Sequence, residues 1–101
     1  MSKSKAPATP PSAPIFGARG TQVTSKTLWG GGKNQPRIDV ENPNPGKRAG
    51  QIHYQHGGKK YLYDASTGQF KGAPNAVNDL LGQPDIHAAI QKGLKLLGET
   101  Q

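Results

Sequence analysis

The residues best suited to chemistry are three histidines, and their surroundings separate them. His53 lies in Gln51-Ile52-His53-Tyr54-Gln55, where strand alternation puts it on one side with Gln51 and Gln55. The facing segment Lys60-Tyr61-Leu62-Tyr63-Asp64 adds Lys60 and Asp64 to that side. An imidazole, an amide and an ammonium on one surface could converge on a phosphate. A half-buried histidine bonded to a neighbour is the plainer alternative. His56 stands beside Gly57-Gly58, as a turn residue able to reach a substrate at the end of the strand. His87 shares a helical direction with Gln91 and Lys95, away from the apolar stripe, and is expected to face solvent.

Metal-independent RNA cleavage needs a base for the 2′-hydroxyl, an acid for the leaving 5′-oxygen and positive or donor groups around the charged phosphorane. His53 is the natural acid or base. Lys60 with Arg48, Lys47 or Arg37 could hold the phosphate, and Gln55, Tyr61, Tyr63 or Thr67 could orient it or give a proton. Taken singly, each cation also reads as solvated surface and each tyrosine as core, so the density of such groups carries the argument. His53, His56, Asp39, Glu41 and Asp64 could ligate a metal, yet His-Tyr-Gln-His on a strand and turn matches no established spacing. Ser66 lacks a nucleophile-elbow context. Gly30-Gly31-Gly32-Lys33 is not a phosphate loop, because Thr27 and Asn34 occupy the positions that would need Gly and Ser or Thr.

The elements that must position these groups are short. Arg37 to Glu41 alternates polar and apolar, and the prolines of Asn42-Pro43-Asn44-Pro45-Gly46 end it, predicting an edge strand and a rigid loop. Gly57-Gly58 predicts a two-residue hairpin turn that pairs Tyr54 with Tyr61, His53 with Leu62 and Gln55 with Lys60. Ala65 to Gly68 turns the chain into a short strand at Gln69-Phe70. Asn75 then caps a short helix that Gly82 ends. Pro84-Asp85 opens a second helix, whose Ile86, Ala89, Ile90, Gly93, Leu94 and Leu97 recur at helical spacing up to Gly98. The expected class is α+β, a small antiparallel meander packed against C-terminal helices, with one sheet face left free to bind.

Composition sets the remaining bounds. Of 101 residues, 32% are apolar, which places part of the chain outside any core. Residues 1–27 read as a flexible, disordered leader or linker and residues 28–101 as the domain, with Leu28 and Trp29 docking on the core. The formal charge of +7 favours a polyanionic partner. Residues 1–60 hold ten basic and two acidic side chains, against three and four in the remainder, so the basic surface belongs to the first part. Without cysteine there is no disulfide, thiolate metal site or cysteine nucleophile. No apolar run approaches the roughly 20 residues of a membrane span, and the start has no apolar stretch suited to a signal peptide.

The block RIDVENPNPGKRAGQIHYQHGGKKYLYDASTGQF, with PNAVNDLL and GLKLLGE after it, resembles the C-terminal toxin domains of bacterial polymorphic toxins of the Rhs and contact-dependent-inhibition type. The likeness covers roughly residues 28–99, most specifically Arg37 to Phe70. The strands are similar to those of the barnase, EndoU, colicin and RelE group of ribonucleases. The resemblance implies metal-independent cleavage of RNA, often transfer RNA, in the cytoplasm of a competing cell, without a cofactor. It also implies delivery by a large upstream protein and neutralisation by an acidic immunity protein over the basic cleft. Its candidate residues are Arg37, Asp39, Arg48, His53, Gln55, Lys60, Tyr61, Tyr63 and Thr67, with Lys47, His56 and Lys59 as further RNA contacts. A metal-dependent DNase toxin and a non-catalytic basic module that holds nucleic acid remain as alternatives.

Overall fold

Two central strands are apolar at every second residue, and that pattern decides where the helices sit. A computed structural model of the chain describes residues 15–99. Strand β1 is Val23–Gly30, β2 Arg37–Asn42, β3 Gln51–His56, β4 Lys59–Asp64 and β5 Gln69–Phe70. They form one sheet in sequence order, each antiparallel to its neighbour. Helix α1 (Asn75–Asp79) passes through a single 3₁₀ turn into α2 (Pro84–Leu96). The α+β meander with C-terminal helices is therefore the architecture. Ile38 pairs with Tyr54 and Val40 with Ile52 across β2 and β3, and all four are buried. Phe70 joins them from β5, with Ile86, Ala89 and Ile90 from α2 and Leu97 just after it.

The hairpin forms as its glycines require. Gly57 and Gly58 both have positive φ, +58° and +79°, the pair of values that suits the twist of the flanking strands. His53 meets Leu62, Tyr54 meets Tyr61 and Gln55 meets Lys60. Gly98, at φ +72°, closes the last helix. Asn75 does not cap α1: Pro74 holds the N-cap position without a side-chain bond. Asn78 instead turns back to β5, where its Oδ1 accepts the Phe70 N–H at 2.8 Å.

The N-terminal boundary of the domain differs from expectation. Residues 1–14 of the expected leader lie outside the described residues, but residues 15–27 are built into the fold. Strand β1 pairs with β2, so β2 is an interior strand and not the edge. Upstream of β1, the Gly17 carbonyl accepts from Asn42 Nδ2 at 2.8 Å and the Thr21 carbonyl from the same atom at 3.1 Å. Thr21 N–H donates to the Leu96 carbonyl, and Gly50 N–H to the Phe16 carbonyl. This strap is held largely through backbone groups, one buried amide and the Glu99 carboxylate, which accepts the Gly17 N–H at 3.0 Å. Phe16 alone of its apolar residues packs against the core, so its hydropathy gives little sign of it. Leu28 and Trp29 do pack against the core, and Trp29 Nε1 donates to Asp85 Oδ2 at 3.0 Å.

Gly20 shows how closely the strap approaches α2. A Cβ there would stand 2.5 Å from the Leu96 carbonyl oxygen and closer still to the Leu97 backbone. Gly20→Ala is expected to cost about 1–3 kcal/mol by overpacking, which lowers Tm by roughly 4–8 °C per kcal/mol in a domain of this size. Removal of residues 1–22 should lower it as well, because Asn42 is fully buried and loses both acceptors. Thermal unfolding of these two variants checks the boundary; unchanged midpoints would return residues 15–22 to the leader.

Candidate functional site

Alternation that sends Ile38, Val40, Ile52 and Tyr54 toward the helices turns their neighbours to the opposite face. The register there pairs Arg37 with Gln55, Asp39 with His53 and Glu41 with Gln51. Thr27 of β1 meets Asp39, and Lys60 and Leu62 of β4 meet Gln55 and His53. This face is polar, but its centre is not open: Asp39 is 3% and His53 4% exposed.

Asp39 sits there as a carboxylate because donors surround it. Arg37 Nε and Gln55 Nε2 each donate to Oδ2 at 2.7 Å, and Thr27 Oγ1 donates to Oδ1 at 3.0 Å. Charge-assisted bonds of this length offset the desolvation of a buried carboxylate. They also hold the Arg37 and Gln55 side chains in place. Arg37 remains half exposed, leaving part of its guanidinium available.

His53 places Nε2 3.0 Å from Gln51 Oε1 and 3.5 Å from Glu41 Oε1. With Nε2–H as the donor, Nδ1 carries the free lone pair, and that atom is buried without a partner. Burial pushes the imidazole pKa below its usual value. The Lys60 ammonium pushes the same way, against the opposing pull of Glu41 and Asp39. The ring is therefore neutral at physiological pH, the form a general base needs.

Beside this cluster lies a cleft of about 330 Å³. Arg37, Gln55, His56, Lys59 and Lys60 line it, with Gln35 on the β1–β2 loop side. Three cations, an imidazole and two amides around one recess suit a phosphate.

The remaining candidates are sorted elsewhere. Lys47 and Arg48 are exposed in the turn after β2, their N–H groups bonded to the Asn44 carbonyl. That turn joins the ends of β2 and β3 opposite Arg37 and Gln55, so these two cations do not meet Lys60. Tyr61 and Tyr63 belong to the helix-facing side and pack against the core. The Tyr63 ring meets Phe70 edge-on at 5.7 Å, and burial, then the Asp64 charge, raises its pKa. Thr67 serves the β4–β5 turn, its Oγ1 donating to the Asp64 carbonyl at 3.3 Å. His87 is exposed on α2, as expected. Thr27 and Gln35 are the site-forming residues that the sequence reading passed over. Recognition of Val23 to Trp29, with its β-branched and aromatic residues, as a strand would have brought Thr27 in.

Among the described residues, no group of three or more His, Asp or Glu side chains is placed to hold a metal ion. No helix among them is long and apolar enough to cross a membrane. No protein family, curated protein or solved structure matches the chain.

The lowered His53 pKa makes stability depend on pH in a definite direction. As pH falls below the unfolded value near 6.5, the unfolded chain takes up the His53 proton first, so this residue's contribution is lost down to its lower folded pKa. In His53→Gln the loss of stability between pH 7.5 and pH 5 should be smaller than in the parent. Urea unfolding at both pH values measures the difference; an equal loss would contradict the buried neutral imidazole.

Proposed function

We propose that this domain is a metal-independent endoribonuclease, the toxic part of a larger delivered protein, which cuts RNA in the cytoplasm of a competing bacterium. The observation that supports the reading is the neutral His53 imidazole set one alternate residue from a cleft in which Arg37, Gln55 and Lys60 come together. In such a reaction the 2′-oxygen forms a bond to phosphorus while the bond to the 5′-oxygen breaks, leaving a 2′,3′-cyclic phosphate and a 5′-hydroxyl. His53 takes the 2′-hydroxyl proton on Nδ1. Exposed His56, on the rim of the cleft, is placed to return a proton to the 5′-oxygen. Arg37 and Lys60 stabilise the phosphorane, and Gln55, fixed by Asp39, orients it. Because Nδ1 is buried, the side chains around it must part when RNA binds. The delivery role rests on the resemblance of Arg37 to Phe70 to polymorphic toxin domains, and an acidic immunity protein would complement the cations of the cleft.

One observation favours a second reading. With Nε2 bonded and Nδ1 sealed, His53 can be a purely structural residue, and the cleft then holds nucleic acid without cutting it.

Incubation with total bacterial RNA and with plasmid DNA, each with and without EDTA, separates the two. The proposal expects RNA fragments in EDTA, with cleavage falling about 10²–10⁴-fold in both His53→Ala and His53→Gln and less in Lys60→Ala, each variant being checked by thermal unfolding to be folded. Intact RNA bound in a salt-sensitive manner would establish the holding module, and nicked plasmid that EDTA protects would establish a metal-dependent DNase.

A further inference from the structure

A second cleft, of about 350 Å³, opens at the other end of β3 and β4. Its walls come from Phe16, Gln51, Leu62, Asp64, Ser66 and Lys71. Gln51 and Leu62 are also the immediate neighbours of His53 on its own face: Gln51 accepts the imidazole bond, and Leu62 is its cross-strand partner. Along β3 the order is thus Gln51 in the apolar cleft, His53 between, and Gln55 in the basic cleft. Two residues of strand separate each pair, about 7 Å.

The chemistry of this cleft is that of a flat heterocycle with a hydrogen-bonding rim. Phe16 and Leu62 supply apolar surface, and Leu62 is 40% exposed. Gln51 adds an amide and Lys71 an ammonium. Asp64 Oδ1 accepts the Ser66 N–H at 2.9 Å and the Ser66 hydroxyl at 2.6 Å, and these bonds keep its carboxyl pKa low. The carboxylate is therefore ionised and fixed, and Oδ2 accepts none of these bonds. A base stacked in a duplex cannot present its faces to such a recess, whereas an unpaired base can.

We propose that this cleft is the base-binding subsite of the ribonuclease described above, taking one unpaired RNA base that carries an exocyclic amino group. The inference rests on that reading. The apolar walls take the faces of the base, and Asp64 accepts from its amino group, which cytosine, adenine and guanine have and uracil lacks. The sugar of the same nucleotide then lies over His53, and its 3′-phosphate enters the basic cleft. The substrate class is single-stranded RNA, cut after an amino-bearing base.

The test uses the full chain and 2′-O-methyl hexamers of cytosine and of uracil, which cannot be cleaved through the 2′-oxygen, with binding followed by fluorescence anisotropy. The cytosine hexamer should bind about tenfold more tightly, the equivalent of one good base contact. Asp64→Asn should bring the two affinities together, and Leu62→Glu should weaken both by about tenfold with Tm unchanged. Equal binding of the two hexamers by the parent chain, or affinities unmoved by both variants, overturns the subsite even if total RNA is cut. Asp64-dependent preference for cytosine in a chain that leaves RNA intact keeps the subsite and overturns the ribonuclease.

Discussion

The carboxylate of Asp39 is the interaction on which the polar half of this molecule depends. It lies at the centre of the face turned away from the helices, nearly free of solvent, and it can remain there only because Thr27, Arg37 and Gln55 each give it a hydrogen bond. Those bonds join β1, β2 and β3. A buried acceptor with several donors costs far more to expose or empty than a single surface pair contributes. The same bonds leave Arg37 and Gln55 little choice of direction, so the shape of the neighbouring cleft follows from a group that never reaches it.

The apolar half answers to a different constraint, the small thickness of the core. Among the described residues nine hydrophobic side chains are buried, and a core of that size leaves little margin in a domain this short. The strap before β1 adds to it by close backbone approach: Gly20 lies against the end of α2 with no room for a Cβ, and Gly17, at φ +82°, lies close against Asn42 and Leu97. Asn42, wholly buried, carries two of the strap's carbonyl groups. A segment fixed in this way has little hydropathy signature, since apart from Phe16 its contacts are made largely by glycine and peptide groups. That is why Ile15 to Gln22 read as a leader, and why β1, with most of its side chains exposed, was hidden behind it.

What could be read from the sequence was what period-two alternation controls. Gly57-Gly58 set the hairpin register, and with it the pairing of Gln55 with Lys60 and of His53 with Leu62. Alternation in 37–41 placed Arg37 and Asp39 on one side. Alternation likewise set Tyr61 and Tyr63 on the side away from His53, and they pack under the helices. What escaped was the sorting of like residues between the ends of the strands. Lys47 and Arg48 are close to His53 in sequence, yet an antiparallel turn carries them to the far end of β2 and β3. Thr67 is absorbed by the turn it builds. Composition counts such residues equally, while topology does not.

The burial of His53 then acquires a meaning that neither face has alone. A neutral imidazole whose second nitrogen finds no partner is costly in a stable fold, because the unpaired atom forfeits its hydration. Its cross-strand partner on β4 is Leu62, a partly exposed aliphatic residue that brings no hydrogen-bonding group. An apolar neighbour leaves the lone pair unclaimed and lowers the local dielectric, so a hydroxyl brought to it would meet a base without a competing partner. Among the described residues two buried side-chain atoms lack a partner, Asn42 Oδ1 and His53 Nδ1. Of the two, only His53 stands on β3 between the residues that line the two clefts, and in the proposed reading it is there that a ligand would supply the missing bond.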